Sequence, residues 1–575
     1  MSAVLDRIQN RCDEIRNEHT ALRKAPPLIR IWMNPPEGGA GLKYVGRVDY
    51  DDTIKGSFPF KNNTPSEGIL QLRDDNYIAM WLKRLPNDPS LKKNVVITVD
   101  FYGTGKECRK RWSGLLDNWS VKSAEGIPYL EATFKDDLTF LQYLLAPPNP
   151  VLPIPIFQFP RIFMLAGPAK WCISTLIALN LFRVEGNLWT LPDDPFKLGG
   201  PDGWLAPLDI ANWQCYIRAK ALPFDDSSLW TFLSSRMNPI DSVIADALDD
   251  AQLTLTYRRI LTVDGEDANL GPLVPQCANG ALVLEVVDNS NFAGFEGTFL
   301  EGNILGGFTR SLISYVGGFV EDTFSLVQED STLAPDEYYQ NGFLGSMASH
   351  PWVVIRDNEW TTIESSDLRW NPSRNKSVVV GGDNPAADAI ARLIIEVTGN
   401  LLGYLILFPT AGSVAADVVM PFLTGTIAAW LQWKNVGRAQ SLGWVAYEEL
   451  YQTGAENNSW SIAALNALRG GFLQGRSETL HQMSMKDSWQ IPGVHFDVGH
   501  RIGSTLQSRG LESIIWINQL QEMIPSWDHS ANEPYQWEIK VGKNKAAMSM
   551  GERLARLTKV VTESSRNLGV SLIQG

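Results

Sequence analysis

Residues able to do chemistry are sparse in this chain. It has six histidines in 575 residues. "HFDVGH" holds His495, Asp497 and His500. Read as a strand, it puts His495 and Asp497 on one face, as a metal pair would require. His500 falls on the other face unless Gly499 bends the chain. The competing reading is the rim of a β-strand, and on that reading no metal site is assigned. "GTGKE", residues 103–107, resembles a phosphate loop, but the pattern's first glycine and its hydroxyl are missing, so it predicts a hairpin turn. The doublets Asp74–Asp75 and Asp249–Asp250 could be glycosidase carboxylates. Adjacent residues point apart on a strand, and such doublets fit a solvated surface. Neither HExxH nor GxSxG occurs. The sequence therefore predicts no catalytic residue, no cofactor and no enzyme.

Composition narrows the partners. A formal charge of −14 argues against direct, sequence-specific nucleic-acid binding, which needs a basic surface. The five cysteines include no CxxC and are odd in number, so they read as reduced thiols of a protein made in a cytoplasm. The charged N-terminus has no apolar h-region, and a secretory signal is not expected. Twenty tryptophans supply large apolar area for cores and interfaces.

The elements that must position these residues predict an α+β, multi-domain chain. Small β-barrel or sandwich domains stand at both ends, with a mixed central region and an apolar helical hairpin. Leu5, Ile8, Cys12, Ile15 and Leu22 fall at roughly helical spacing and predict an amphipathic helix over 1–25. Residues 26–145 read as a β-domain. Its "NVVITVDFYG" alternates, and residues 111–134 form a hairpin about a turn at Ser123–Gly126. Six prolines in residues 146–160 mark an extended connector, followed by a helix from Pro168 to Gly186; together with the following residues these make a segment 146–237. Residues 238–380 are mixed and mostly β, with a helix over 240–250 and strands in "QLTLTYRRILTV", "ALVLEVVDNS" and "FVEDTFSLVQED". Residues 381–475 hold the apolar hairpin and following helices, 476–548 a second β-domain, and 549–575 a closing helix.

The apolar stretch 400–433 carries one charge, Asp417. Its first uncharged arm, 397–408, is about 18 Å long as a helix, and its return arm, 418–433, about 24 Å. Neither spans the ~30 Å of a hydrocarbon core. The sequence predicts a helical hairpin with an apolar tip. Its candidate plug or envelope-contact residues are Leu401, Leu402, Tyr404, Leu405, Ile406, Leu407, Phe408, Val418, Val419, Phe422, Leu423, Trp430 and Trp433. Packing inside the subunit or an oligomer is the alternative.

Several segments together resemble one family. "RWSGLLDNWSV" resembles a strand pair of phage tail-hub proteins. "LAGPAKWCISTLIALNLFRVEGNLWTLPDDP" resembles minor tail proteins of actinobacterial siphophages, mycobacteriophages among them. "LNALRGGFLQGRSETLHQMSM", "FDVGHRIGSTLQ" and "IIWINQLQEMIPSWD" resemble that family's closing β-domain, although relatives usually carry aspartate where His500 stands. The resemblance implies a structural virion protein of the tail tip, a homotrimer whose paired β-domains match a hexameric tube. It also implies contacts with the distal tail ring, the tape-measure protein and other minor tail proteins, transient contact with the host envelope, and a role in DNA delivery. A tail-associated peptidoglycan hydrolase is the competing function.

Overall fold

β-branched and aromatic residues recur along residues 28–136, and the segments that hold them form strands. In the computed structural model these are β1 (Leu28–Met33), β2 (Lys43–Val48), β3 (Thr53–Ser57), β4 (Phe60–Lys61), β5 (Glu67–Arg73), β6 (Val95–Phe101), β7 (Lys110–Ala124) and β8 (Ile127–Asp136). The described residues are 2–289, 326–328, 353–381, 430–452 and 478–542, with short gaps inside these ranges. The expected hairpin is β7–β8, paired from Ala124↔Ile127 at the turn with a register shift between Leu116 and Asn118, and with Gly126 at φ +83°. Residues 102–107 make the turn between β6 and β7, as expected of "GTGKE".

The two β regions at the ends of the sequence share one sheet. Strand Ile514–Asp528 pairs antiparallel with β3 through Ser526↔Ser57, Trp527↔Gly56 and Asp528↔Lys55. It continues along β4 through Glu522↔Lys61. The resulting 15-stranded sheet runs in order Ile363–Asn371, Glu478–Lys486, Glu533–Val541, Ile514–Asp528, β3, β5, β8, β7, β6, β1, β2. This path is open. The barrel expectation is corrected accordingly: among the described residues no barrel closes, and one apolar core runs from Ile29 to Val541.

Aromatic packing holds the join. Trp112, Phe58 and Trp527 are fully buried, with Phe58 ring centroids 5.1 Å from Trp112 and 5.8 Å from Trp527. Their indole N–H groups donate to Pro59 O (3.0 Å) and Thr53 Oγ1 (2.7 Å), which buried tryptophans require. Gly56 and Gly68 leave room: an added Cβ would lie 2.1 Å from Trp527 and 2.7 Å from Trp112.

Helix α1 (Ser2–Lys24) precedes β1, and α2 (Tyr77–Arg84) lies between β5 and β6. A second lobe follows β8. Helices α3 (Ala169–Glu185) and α4 (Ile240–Asp250) pack with strands Cys215–Arg218, Leu253–Ile260 and Ala281–Asp288 around a separate apolar core. Both helices match the sequence expectation. The first N–H groups of α3 are capped from a distance, by Asp226 Oδ2 (2.8 Å) and Ser228 Oγ (3.0 Å). Another small sheet joins Asn375–Gly381 to Trp430–Lys434 and Tyr447–Gln452. Trp430 and Trp433 therefore sit in a strand, not in a returning helix; the short run Trp-Leu-Gln-Trp-Lys pairs with the β-branched Val378–Val380. The other named hairpin residues, Leu401 to Leu423, lie outside the described residues, as do the helices expected from "GGDNPAADAIARLIIEV", from "WSIAALNALRG" and over 549–567. No described helix is long and apolar enough to cross a membrane.

Truncating Trp527 to alanine opens a cavity at the join. We expect a loss of about 3 to 5 kcal/mol, read as a lower urea midpoint. Gly56→Ala should also lower it, by driving a methyl into the same indole. Wild-type midpoints in both variants would refute this account of the join.

Candidate functional site

β6 alternates in sequence, which predicts one wet face. All seven of its residues are buried. Val95, Ile97, Val99 and Phe101 face the sheet core, while Thr98 and Asp100 lie under the second lobe. Asp100 accepts from Arg30 (2.6 Å) and from two nitrogens of Arg111 (2.5 and 2.9 Å). Arg111 reaches on to Glu266 (2.8 Å) and to Arg259 O (2.7 Å). Arg30 also donates to Asp264 (2.7 Å), Arg258 to Glu266 (2.9 Å), and Arg259 to both oxygens of Asp137 (2.8 and 2.6 Å). Four arginines thus meet four carboxylates across the seam between lobe and sheet. Burial works against the Arg111 charge, but Asp100 and then Glu266 outweigh it and raise its pKa. Burial pushes the Cys108 thiol beside them up to about 11, with Asp100 adding to the rise.

The hinge of the seam is Asp136–Asp137, where β8 passes into the lobe. Asp136 accepts from Ser66 N (2.9 Å) and Ser66 Oγ (2.7 Å). Burial, with the Asp137 charge adding to it, raises its pKa to about 7 against the pull of Ser66. Asp137 also accepts from Ser113 Oγ at 2.5 Å. Ser113 belongs to the "RWSG" motif, whose tryptophan anchors the sheet core and whose serine grips this hinge.

The cluster His495, Asp497 and His500 does not form a strand. Gly493 (φ +77°) and Gly499 (φ +87°) turn the chain there, and the strand begins only at Arg501. Asp497 is held by Lys110 at 2.5 and 2.6 Å. His495 Nδ1 accepts from Ile491 N (2.7 Å), and its ring packs edge-on against His19 at 4.9 Å. His500 Nδ1 accepts from Asp497 N at 3.2 Å. Asp74 pairs with Lys83 at 2.7 Å, as a surface carboxylate does. The free thiols expected from the cysteine spacing are found: all five are unpaired, and only Cys12 is exposed.

Sequence reasoning missed a buried histidine. His481 is fully buried on strand Glu478–Lys486. Its Nδ1 lies 2.6 Å from Ser504 Oγ, and its Nε2 lies 2.6 Å from Ser366 Oγ. Ser504 Oγ donates to Trp516 O (3.3 Å), so it accepts from Nδ1–H, and Nε2 accepts from Ser366. Burial lowers the His481 pKa and keeps the ring neutral. The ring bridges three strands. Its Nδ1 meets a hydroxyl and not the carboxylate that orients a hydrolase triad.

The surface is where this chain offers most. Trp444 (95% exposed), Val445, Tyr447, Tyr451 and Trp370 stand out near the small sheet. Phe196 (99% exposed), Leu198, Trp204, Leu205 and Leu208 stand out on the second lobe. Exposed aromatic area of this kind suits protein contact.

The comparisons with known proteins bear on this architecture. The model of the siphovirus ReqiPepy6 Gp37-like protein family matches residues 28–543. The chain belongs to that family. Its curated relatives include minor tail protein Gp28 of Mycobacterium phage L5, 26% identical over 532 residues, with 84% of this chain and 86% of that protein covered. The protein of the same name from Mycobacterium phage D29 is 26% identical over 530 residues, with the same coverage. Among solved structures, a tail protein from Neisseria meningitidis MC58 aligns with 90% of this chain and 97% of its own at 9% identity and a TM-score of 0.37. The 43 kDa tail protein of prophage MuSo2 from Shewanella oneidensis aligns with 90% and 98% at 10% identity and a TM-score of 0.38. Scores of this size leave the fold to be read from the chain's own strands.

Arg111→Met leaves Asp100 with Arg30 alone and Glu266 with Arg258 and the Leu261 N–H. The expected cost is about 3 to 5 kcal/mol, seen as a lower unfolding midpoint. Asp136 sets a pH dependence of known sign. Its folded pKa, about 7, exceeds the unfolded value of 3.8, so its contribution is full below pH 3.8 and is lost as pH rises towards 7. The thermal midpoint of the wild type should therefore fall further between pH 5 and pH 8 than that of Asp136→Asn. Parallel profiles for the two proteins would refute the buried-acid assignment.

Proposed function

We propose that this chain is a structural minor tail protein that acts as a trimeric hub at the virion's tail tip. It closes the tail tube, joins the distal tail ring to further minor tail proteins, meets the tape-measure protein on its inner side, and takes part in DNA delivery. The observation that carries this reading is family membership over residues 28–543, nearly the whole described body, with relatives named as minor tail proteins at matching length. The side-chain chemistry is consistent with it: the arginines and carboxylates of the seam pair with one another, and the His481 ring bridges strands. The apolar stretch around Leu405 and Phe408 is the proposed plug or envelope-contacting element.

The test is made on phage particles. Antibody labelling should mark the tail tip, and depletion of the chain should leave particles without complete tails. Labelling along the tube, or normal tails without the chain, would overturn the proposal. Leu405→Asp and Phe408→Asp particles should assemble yet fail to eject DNA on host cells. Normal ejection from both would refute the plug. Clearing of host cell wall in a zymogram by the purified chain would favour the hydrolase reading instead.

A further inference from the structure

Among the described residues, helix α1 meets the body at its base. Leu22 rests against the sheet core, and His19 packs edge-on against His495 with ring centroids 4.9 Å apart. Above that, Leu5 (60% exposed), Ile8 (56%) and Ile15 (37%) face solvent. A helix in a protein takes most of its stability from packing an apolar face. The hold on α1 therefore rests on side chains of its last two turns.

His495 is the member of this contact that answers to protons. It lies in the glycine turn 491–500 and is exposed, so water reaches it. Its Nδ1 accepts from Ile491 N (2.7 Å). The ring is thus neutral, with its one proton on Nε2. A second proton can go only to Nδ1. It would remove the acceptor that holds the ring to the turn, and it would give the ring a charge. The charges facing that ring are those of His19, when protonated, and Arg23 on α1, and of Arg109 just ahead of β7. Each disfavours a proton there. Asp497, the one carboxylate of the turn, is taken up by Lys110 (2.5 and 2.6 Å), and His500 Nδ1 accepts from Asp497 N (3.2 Å). Lys106 and Glu107 line the same recess as Leu22 and Arg109, and their charges offset one another.

We propose that His495 is an acid-sensitive latch for α1: a proton at Nδ1 frees the ring from the turn, sets it against Arg23 and Arg109, and detaches the base of the helix. Partial burial of the ring, with the three positive side chains adding to it, lowers the His495 pKa below its ordinary 6.5. Docking therefore has its full support above pH 6.5 and loses it as pH falls through the lowered value. Once α1 leaves, His19 and Arg23 leave with it, and the ring takes a proton more readily; acid favours the detached form for that reason. Only Ala25, Pro26 and Pro27 join α1 to β1, and proline fixes its own backbone angle. The detached helix yields by unwinding from its last turns and does not swing as a rod. The latch draws on the contacts of α1 alone, whatever the chain assembles with.

Cys12 lies within α1 and is the one exposed cysteine, so a nitroxide can be attached there in the full-length chain and its mobility read by electron paramagnetic resonance. At pH 8 the spectrum should be that of a label on an ordered helix. At pH 5 its mobile component should grow several-fold while the near-ultraviolet circular dichroism of the body holds. His495→Asn keeps an acceptor for Ile491 N and cannot take the proton, so its spectrum should stay slow at both pH values. His495→Arg carries the charge permanently and should be mobile already at pH 8. A wild-type spectrum that is the same at pH 8 and pH 5, whether slow or mobile, overturns the latch. So does a pH response that survives in His495→Asn, which would assign the titration to another group. Mobility that grows only together with loss of the body's circular dichroism overturns it as well, because the helix would then be following general unfolding.

Discussion

The Asp100 carboxylate, fully buried between Arg30 and Arg111, is the constraint around which the body is arranged. An unpaired charge in that place would cost several kcal/mol, so β1, β6 and β7 must arrive in one register to surround it. In that register Arg30 pairs with Thr98 across the ladder, and Asp100 with Arg111. The arginines are then left with donors to spare. Glu266, Asp264 and the carbonyl of Arg259 take them, and all three come from the second lobe. A seam of packed leucines could hold lobe and sheet together as strongly. Leucines would not fix the angle. Planar guanidinium forks do, because each N–H has one direction. The network thus explains why β6 is wet-patterned in sequence and dry in structure.

A second consequence concerns order of assembly. The sheet is finished only when residues 514–541 reach β3 and β4, more than 450 positions upstream. Contacts of such separation form late and slowly. Until then β3 presents an open edge and Gly56 an unfilled space. Trp527 fills that space and its indole N–H satisfies Thr53, so one side chain reports that the C-terminal strands have docked. Among the described residues the sheet's path ends at Ile363–Asn371 and at β2.

What could be read from the sequence was local. The β7–β8 hairpin announced itself through alternation and a turn, and α3 through proline at its start. The partners of strands were not legible, since nothing in "IPSWD" names "KGS" as its neighbour. The seam was hidden for another reason: Arg258 and Arg259 inside "TYRRIL" look like solvated charges until Asp137 and Glu266 are placed beside them. "HFDVGH" was misjudged because two glycines adopt left-handed backbone there. At Gly499 the chain approaches the lobe so closely that a Cβ would lie 1.8 Å from Thr254 Oγ1. Trp430–Lys434 read as the end of a helix because strand pairing with Asn375–Gly381 is a tertiary fact.

That glycine turn, 491–500, is also where three parts of the molecule meet. His495 touches His19 at the base of α1. Asp497 is clamped by Lys110 at the start of β7, whose ammonium also lies 4.6 Å over the Phe60 ring. Gly499 abuts the second lobe, and its N–H donates to Leu520 O (2.9 Å) in the C-terminal strands. A force applied along α1 therefore reaches the sheet core through an ion pair two residues from the histidine contact, and reaches the lobe through a close backbone approach two residues further on. Neither path passes through a flexible side chain standing alone in solvent. The direction of α1 is thus tied to the sheet and not absorbed by the linker. The sequence provides for this by placing only Ala25, Pro26 and Pro27 between the helix and β1; a proline pair fixes its own backbone angles and lets the helix end without a hinge.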